Sequence, residues 1–289
     1  MQFPVKDRTY GLLLAAPATL VLLLIIVFPL AFSVVLSVVP LDLLNPGAPR
    51  RFVGLASYLA VLSDPRFVSS LVHTMVFVVV TLAVEMAIGL SVALMLDRPW
   101  LRARGVARTL IIFPLMVAPI VSGLQWRWIF SDQYGILNYA LSFLHLPAPI
   151  WFASPVSAMS AVIVANLWVA TPFDIMVLLA GLQGIPDEPV EAAIIDGAGP
   201  FQRLRFVILP LLRPAILVVL LIRLADAIRI FDIVYVLTGG GPGDSTQVFS
   251  TYIFRVSFNS LNLSQGAAGS FIVVLITAGI SLLLARRLR

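Results

Sequence analysis

Six predominantly apolar runs, each long enough to cross a bilayer as a helix, alternate with short polar stretches along the chain. They fall at about residues 10–39, 71–96, 109–130, 155–182, 214–237 and 266–285. The pattern predicts an all-α, polytopic membrane protein with one transmembrane domain over residues 1–289 and no soluble domain, linker or strong internal repeat. The first run is about twice the length of a signal-peptide core and lacks a small-residue cleavage site, so it reads as an uncleaved span. Pro114 and Pro119 lie inside the third run and predict kinks, because each removes a backbone donor and crowds the preceding turn. The stretch FVGLASYLAVLSDPRF before the second run predicts a short surface helix, and residues 131–154 an external loop with Tyr134, Trp151 and Phe152 at interface depth. The fifth run stops at the turn sequence GGGPGD.

Composition agrees with the pattern. The 289 residues are 60% hydrophobic and only 11% charged, with a mean hydropathy of +1.04, whereas a soluble chain is about a quarter charged. The net charge of +5 would suggest nucleic acid in a soluble protein; here the placement of the basic residues reads as membrane topology. Lys6, Arg8, Arg98, Arg102, Arg104, Arg108, Arg203, Arg205, Arg213, Arg286, Arg287 and Arg289 share one side, against Arg50, Arg51, Arg66 and Arg255 on the other. The positive-inside rule then puts both termini and residues 184–212 in the cytoplasm. Cysteine is absent, which excludes disulfides, iron–sulfur ligation and thiol catalysis within the chain. His73 and His145 lack metal-ligand partners at useful spacing and read as structural, so no metal site is expected.

Between the fourth and fifth runs lies the longest segment mixing acids, Arg and Gly, EAAIIDGAGPFQRLRFVILP from Glu191 to Pro210. A polar helix-turn-helix pinned between spans cannot sit in hydrocarbon and must lie at the membrane surface. Asp187 and Pro189 supply a helix start, Gly197, Gly199 and Pro200 a break, and Phe201–Leu212 a second helix. That shape suits a knob seated in a groove of another protein.

This segment resembles the EAA loop by which membrane subunits of binding-protein-dependent ABC importers dock onto their ATPase. With FVGLASY, NLWVATPF and RIFDIVYVLTGGGPGDSTQ, the resemblance narrows to sugar-type permeases, the group containing the maltose transporter's larger membrane subunit. The chain lacks that subunit's extra spans and large external domain. The resemblance implies a type I ABC importer permease fold in a bacterial inner membrane. It also implies a heterodimer with a second permease, two ATPase subunits that use ATP and Mg, and an extracytoplasmic solute-binding protein delivering sugar. In it Glu191 would pair with a basic residue of the ATPase cleft, with Ala192, Ala193, Asp196, Gly197, Ala198 and Gly199 forming the rest of the contact. No Walker A pattern occurs, so ATP hydrolysis falls to a partner and no cofactor is expected in this chain.

Ionisable groups inside spans are functional candidates by default. In the fifth run Arg223, Asp226, Arg229 and Asp232 recur every third residue. They either line a solute path or neutralise one another, Glu85 or Asp174 within the bundle. The resemblance places sugar contacts at Arg223 and Asp226, with Ala227 and Ile230 on the same face, and at Asn166 and Trp168 of the fourth run. An aromatic face stacking on a sugar ring, with amide and charged groups reading hydroxyls, is the chemistry such a site needs. Leu115 and Pro119 are candidate lining residues of the same cavity. Two alternatives stay open: an importer of glycerol-3-phosphate or another anionic solute, with Arg223 and Arg229 meeting phosphate, and a proton-coupled secondary carrier.

Overall fold

The computed structural model describes residues 5–39, 41, 43, 51–98 and 104–286; Arg50, Arg102, Arg287 and Arg289, used above for orientation, lie outside them. Every regular element among the described residues is helical. Five helices are long and apolar enough to cross a membrane, and six crossings result if a bent pair is one span. In order they are span 1 (Tyr10–Val38), span 2 (Pro65–Leu96), the bent span 3 (Arg104–Met116 with Pro119–Ile129), span 4 (Pro155–Gln183), span 5 (Pro200–Ile228) and span 6 (Leu263–Leu283). The chain divides into two compact units, residues 1–64 with 253–274 and residues 65–252 with 275–289.

In the larger unit span 2 carries one buried stripe. Phe67, Ser70, Thr74, Phe77, Thr81, Glu85, Gly89, Ala93 and Leu96 recur every three or four residues and are all buried. Span 4 packs on this stripe, and Ala93, Leu96, Ile175, Leu178, Leu179, Leu182, Leu212 and Val219 close a core between spans 2, 4 and 5. Small residues let the backbones approach, as in other membrane bundles: a Cβ on Gly89 would meet that of Asp174 at 3.1 Å. Ser154 caps span 4 by accepting from Ser157 N at 3.2 Å, ahead of Pro155 at the first helical position.

The prolines of span 3 break the span. Its first half ends in a 3₁₀ turn, Phe113–Met116, and the two halves meet at 100°. Ala118 is extended (φ −61°, ψ 138°), as a residue before proline prefers. The second half packs on the short helix Asp232–Leu237: a Cβ on Gly123 would sit 3.3 Å from Val236 Cβ, and Arg127 Nη1 donates to the Val236 carbonyl at 2.9 Å.

Span 5 differs in register from the apolar run. The helix begins at Pro200, not near residue 214, and stops at Ile228; Asp232–Leu237 is a separate helix. Proline explains the early start without a break. Leu204–Ile208 forms a wide π turn, which takes in the ring of Pro210 where it would strike the carbonyl four residues back. Span 1 repeats the device, with a π turn at Leu23–Val27 ahead of Pro29.

The segment 131–154 contains a helix, Ile136–Phe143. Trp151 is held by its Nε1 donating to Asn138 Oδ1 at 2.8 Å and by Phe130, 4.7 Å between ring centres, while Tyr134 is exposed. His73 Nδ1 lies 3.3 Å from the Gln247 carbonyl.

In the smaller unit the expected surface helix is Ala56–Leu62. The Tyr58 hydroxyl and Ser37 Oγ share a hydrogen bond of 2.8 Å, and Val53 N donates to the Val38 carbonyl at 2.9 Å. Span 6 packs here through glycines: Gly269 faces Val61 and Ile253, and a Cβ on Gly266 would overlap the Ser257 hydroxyl.

Candidate functional site

A charged cluster sits between spans 2, 4 and 5. Arg223, buried in span 5, donates from Nε to Glu85 Oε2 and from Nη2 to Glu85 Oε1, both at 3.2 Å. Asn166 of span 4 donates to Glu85 Oε1 at 2.9 Å. A charge taken out of water is tolerated where its partners are good, and Glu85 receives three donors. Asp174 is also buried, 3.7 Å from Arg223 Nε, and its carboxylate accepts no hydrogen bond from the described residues. Of the alternatives raised above, pairing with Glu85 and Asp174 is thus realised, and so is pairing along the helix. Arg223 Nη1 reaches Asp226 Oδ2 at 3.4 Å, and Arg229 Nη2 donates to Asp226 Oδ1 at 3.1 Å.

The cluster forms one wall of a cavity of about 460 Å³. Of the residues expected on a solute path, Leu115, Pro119, Asn166, Arg223, Asp226 and Ile230 line it together; Val169, Ala170, Arg229, Phe231, Asp232 and Ile233 complete it. Trp168 and Ala227 are not among its lining residues. Trp168 follows Asn166 by two positions, about 200° around the helix, and its indole packs edge-on against Trp126, ring centres 6.2 Å apart. Ala227 follows Asp226 by one position and is buried. Ile230 reaches the wall because the helix has ended two residues earlier.

At the other end of span 5 lies the Glu191–Pro210 segment. Asp187–Ile195 is a helix with Asp187 and Glu188 in its first turn, where the helix dipole favours acids. It closes in a Schellman motif: Ala198 N donates to the Ala193 carbonyl at 2.9 Å and Gly197 N to the Ile194 carbonyl at 3.0 Å. Gly197 supplies the left-handed residue, φ +79°. Gln202 Oε1 then accepts from Gly199 N at 2.8 Å, setting the start of span 5. Glu191, Ala192, Asp196 and Gly197 are exposed and Ala193, Ala198 and Gly199 half-buried. Ile195 is 86% and Phe201 72% exposed beside them, so the elbow offers an apolar tip ringed by acids. A cleft lined by Asp97, Arg98, Asp187 and Arg203 separates it from the end of span 2.

Spans 3, 4 and 5 thus line a polar cavity, and span 5 runs on to an exposed knob. The chain belongs to the family of binding-protein-dependent transport system inner membrane components, whose model matches residues 53–289. It is 40% identical over 270 residues to the trehalose/maltose transport system permease protein MalF of Thermococcus litoralis, covering 93% of this chain and 89% of that one. It is 37% identical over 262 residues to the sulfoquinovosyl glycerol transport system permease protein SmoG of Agrobacterium fabrum, covering 91% and 84%. Among solved structures it shares the fold of a chain of a bacterial ABC transporter importing the acidic polysaccharide alginate, with a TM-score of 0.82, 22% identity and coverage of 98% and 96%. The protein is therefore an ABC-importer permease of the inner membrane.

Proposed function

We propose that this chain is one of two permease subunits of an ATP-driven importer through which a sugar crosses the membrane by alternating access. Two ATPase subunits, with ATP and Mg, drive it from the cytoplasm, and an extracytoplasmic binding protein delivers the solute. Both termini and the Glu191–Pro210 segment face the cytoplasm. Glu191, Ala192, Ala193, Asp196, Gly197, Ala198 and Gly199 make the contact with the ATPase, and the cavity residues Leu115, Pro119, Asn166, Arg223, Asp226 and Ile230 meet the solute.

The observation that carries this reading is the unbroken helix Pro200–Ile228. One end continues from the exposed elbow, and the other bears the Arg223–Asp226 pair on the cavity wall. Movement of the elbow by a partner is thereby transmitted to the cavity. Acids and an amide on that wall suit a polyhydroxylated solute, since each hydroxyl both donates and accepts. Two relatives carry sugars in their names, trehalose/maltose and sulfoquinovosyl glycerol.

The test is to tag the chain, extract it gently from its native membrane and identify what copurifies. The complex's ATPase activity is then measured against a panel of sugars with its binding protein. A second permease, an ATPase and stimulation by a sugar are expected. A chain recovered alone, with uptake following a proton gradient, would overturn the reading.

A further inference from the structure

A ring sugar is held by a flat apolar surface against its C–H face and by polar groups around its rim of hydroxyls. Trp168, expected as that surface, packs against Trp126 and does not line the cavity. Among the described residues that do line it, Phe231 is the one aromatic. The break in the chain puts it there: span 5 stops at Ile228, a new helix starts at Asp232, and Phe231 caps that helix. Its position is fixed from both sides. Tyr235 N donates to the Phe231 carbonyl at 2.8 Å, and the two rings stack with centres 5.1 Å apart and planes 17° apart. Ser250 Oγ donates to the carbonyl of Ile230, one residue back. A ring so held loses little freedom when a ligand settles on it. A donor and an acceptor flank it on the same wall. Arg229 is anchored through Nε to the Ala225 carbonyl and through Nη2 to Asp226, which leaves Nη1 for another acceptor, and the Asp232 carboxylate is exposed beside it.

Resting on the sugar reading above, we propose that Phe231 is the platform on which a pyranose ring of the solute stacks, with Arg229 and Asp232 meeting hydroxyls at its rim. The cavity then takes ring sugars in preference to open-chain polyols. A glucose-type pyranose turns C–H groups to its faces and hydroxyls to its edge, so one ring uses the aromatic and both charged neighbours at once. An open-chain polyol offers the same hydroxyls on a chain that presents no such face and gives up more conformational freedom when bound.

The purified complex of permeases and ATPase subunits, without its binding protein, is titrated with maltose, trehalose and sorbitol and followed by saturation-transfer NMR. In the wild type the sugar protons on one face of a pyranose ring should receive the strongest saturation. Phe231→Leu keeps apolar bulk but no flat ring, and it should weaken maltose and trehalose about three- to tenfold and sorbitol less than about twofold. Phe231→Tyr keeps the ring and should bind all three as the wild type does. Copurification of the ATPase with each variant establishes that it has assembled. Saturation spread evenly over the sugar protons overturns the proposal while leaving a sugar site standing. So do equal losses for ring and open-chain solutes, no loss in Phe231→Leu, or a loss in Phe231→Tyr as large as in Phe231→Leu. Binding of no sugar by the wild-type complex overturns the sugar reading and this proposal with it.

Discussion

Gly181 of span 4 and Ala215 of span 5 touch so closely that a Cβ built on the glycine would lie 2.7 Å from the alanine Cβ. Leu212 Cδ1 is 2.8 Å from the same point, so the crossing holds no room for a side chain. Gly181→Ala should lower stability by about 1–3 kcal/mol through overpacking, and Gly181→Leu should abolish recovery of folded protein. Thermal unfolding in detergent checks this. Gly105→Ala is the control, since nothing lies within 4 Å of a Cβ there.

The Glu85–Arg223 pair predicts an asymmetry between two buried acids. Glu85→Gln leaves Arg223 without its main counter-charge and should cost about 3–5 kcal/mol, the usual effect of breaking a buried pair. Asp174→Asn removes no hydrogen bond and only the longer of Arg223's buried charge contacts, 3.7 Å from Nε, while relieving a like charge beside Glu85, so it should cost clearly less than Glu85→Gln. Unfolding of the two variants side by side decides the matter, and equal losses would contradict it. Changing Glu85 and Arg223 together to Gln and Met should recover much of the loss.

Gly197 and Gly199 should respond differently to alanine. Gly197 is left-handed, where an L side chain costs about 1–2 kcal/mol. Gly199 has φ −67°, and a Cβ there has only Gln202 Oε1 nearby, at 3.7 Å. Under the proposed coupling role, Gly197→Ala should cut sugar-stimulated ATPase several-fold and Gly199→Ala little. Glu191→Ala should act like Gly197→Ala, lowering sugar-stimulated ATPase several-fold while the chain stays in the membrane.

The second half of span 3 and the helix Asp232–Leu237 should be joined by a disulfide. A Cβ at 123 falls 3.3 Å from Val236 Cβ, near the separation a disulfide spans, and the chain has no cysteine of its own. Gly123→Cys with Val236→Cys should cross-link almost fully under mild oxidation, read as a shift on a gel after proteolysis between the sites. A lack of cross-link would show that the two helices part company in the membrane.

Much of this was legible in the residues, for reasons that differ between elements. Apolar length alone reports a bilayer crossing, so spans 1, 2, 4 and 6 were found within a few residues of their ends. Pro114 and Pro119 announced the break in span 3, though not its angle, which depends on what the second half packs against. The fifth span was misregistered because hydropathy sees Arg203, Arg205 and Arg213 as a polar segment. A helix runs through them wherever their heads can reach water. The elbow is readable because Gly197 and Gly199 directly before Pro200 end one helix and start another.

The cavity was only half legible. Spacing put Arg223 and Asp226 near each other but could not say that Glu85, far earlier in the chain, would take most of the guanidinium. Trp168 is an aromatic close to Asn166 in sequence, yet two helical positions turn it to a different face, against Trp126. Asp232 reads in the sequence as the last of a series, and its separation from that series follows from the helix ending at Ile228.

The uninterrupted run of span 5 also fixes a mechanical ratio. Its 29 residues give a rod of about 43 Å at 1.5 Å per residue. Pivoted near one end, a tilt of about 10° sweeps the other through about 7 Å, by the same rise per residue. That is comparable to the width of a sugar ring. Under the proposed coupling, a modest rotation at the elbow would displace Arg223 and Asp226 by a similar distance, with no need for the helix to unwind.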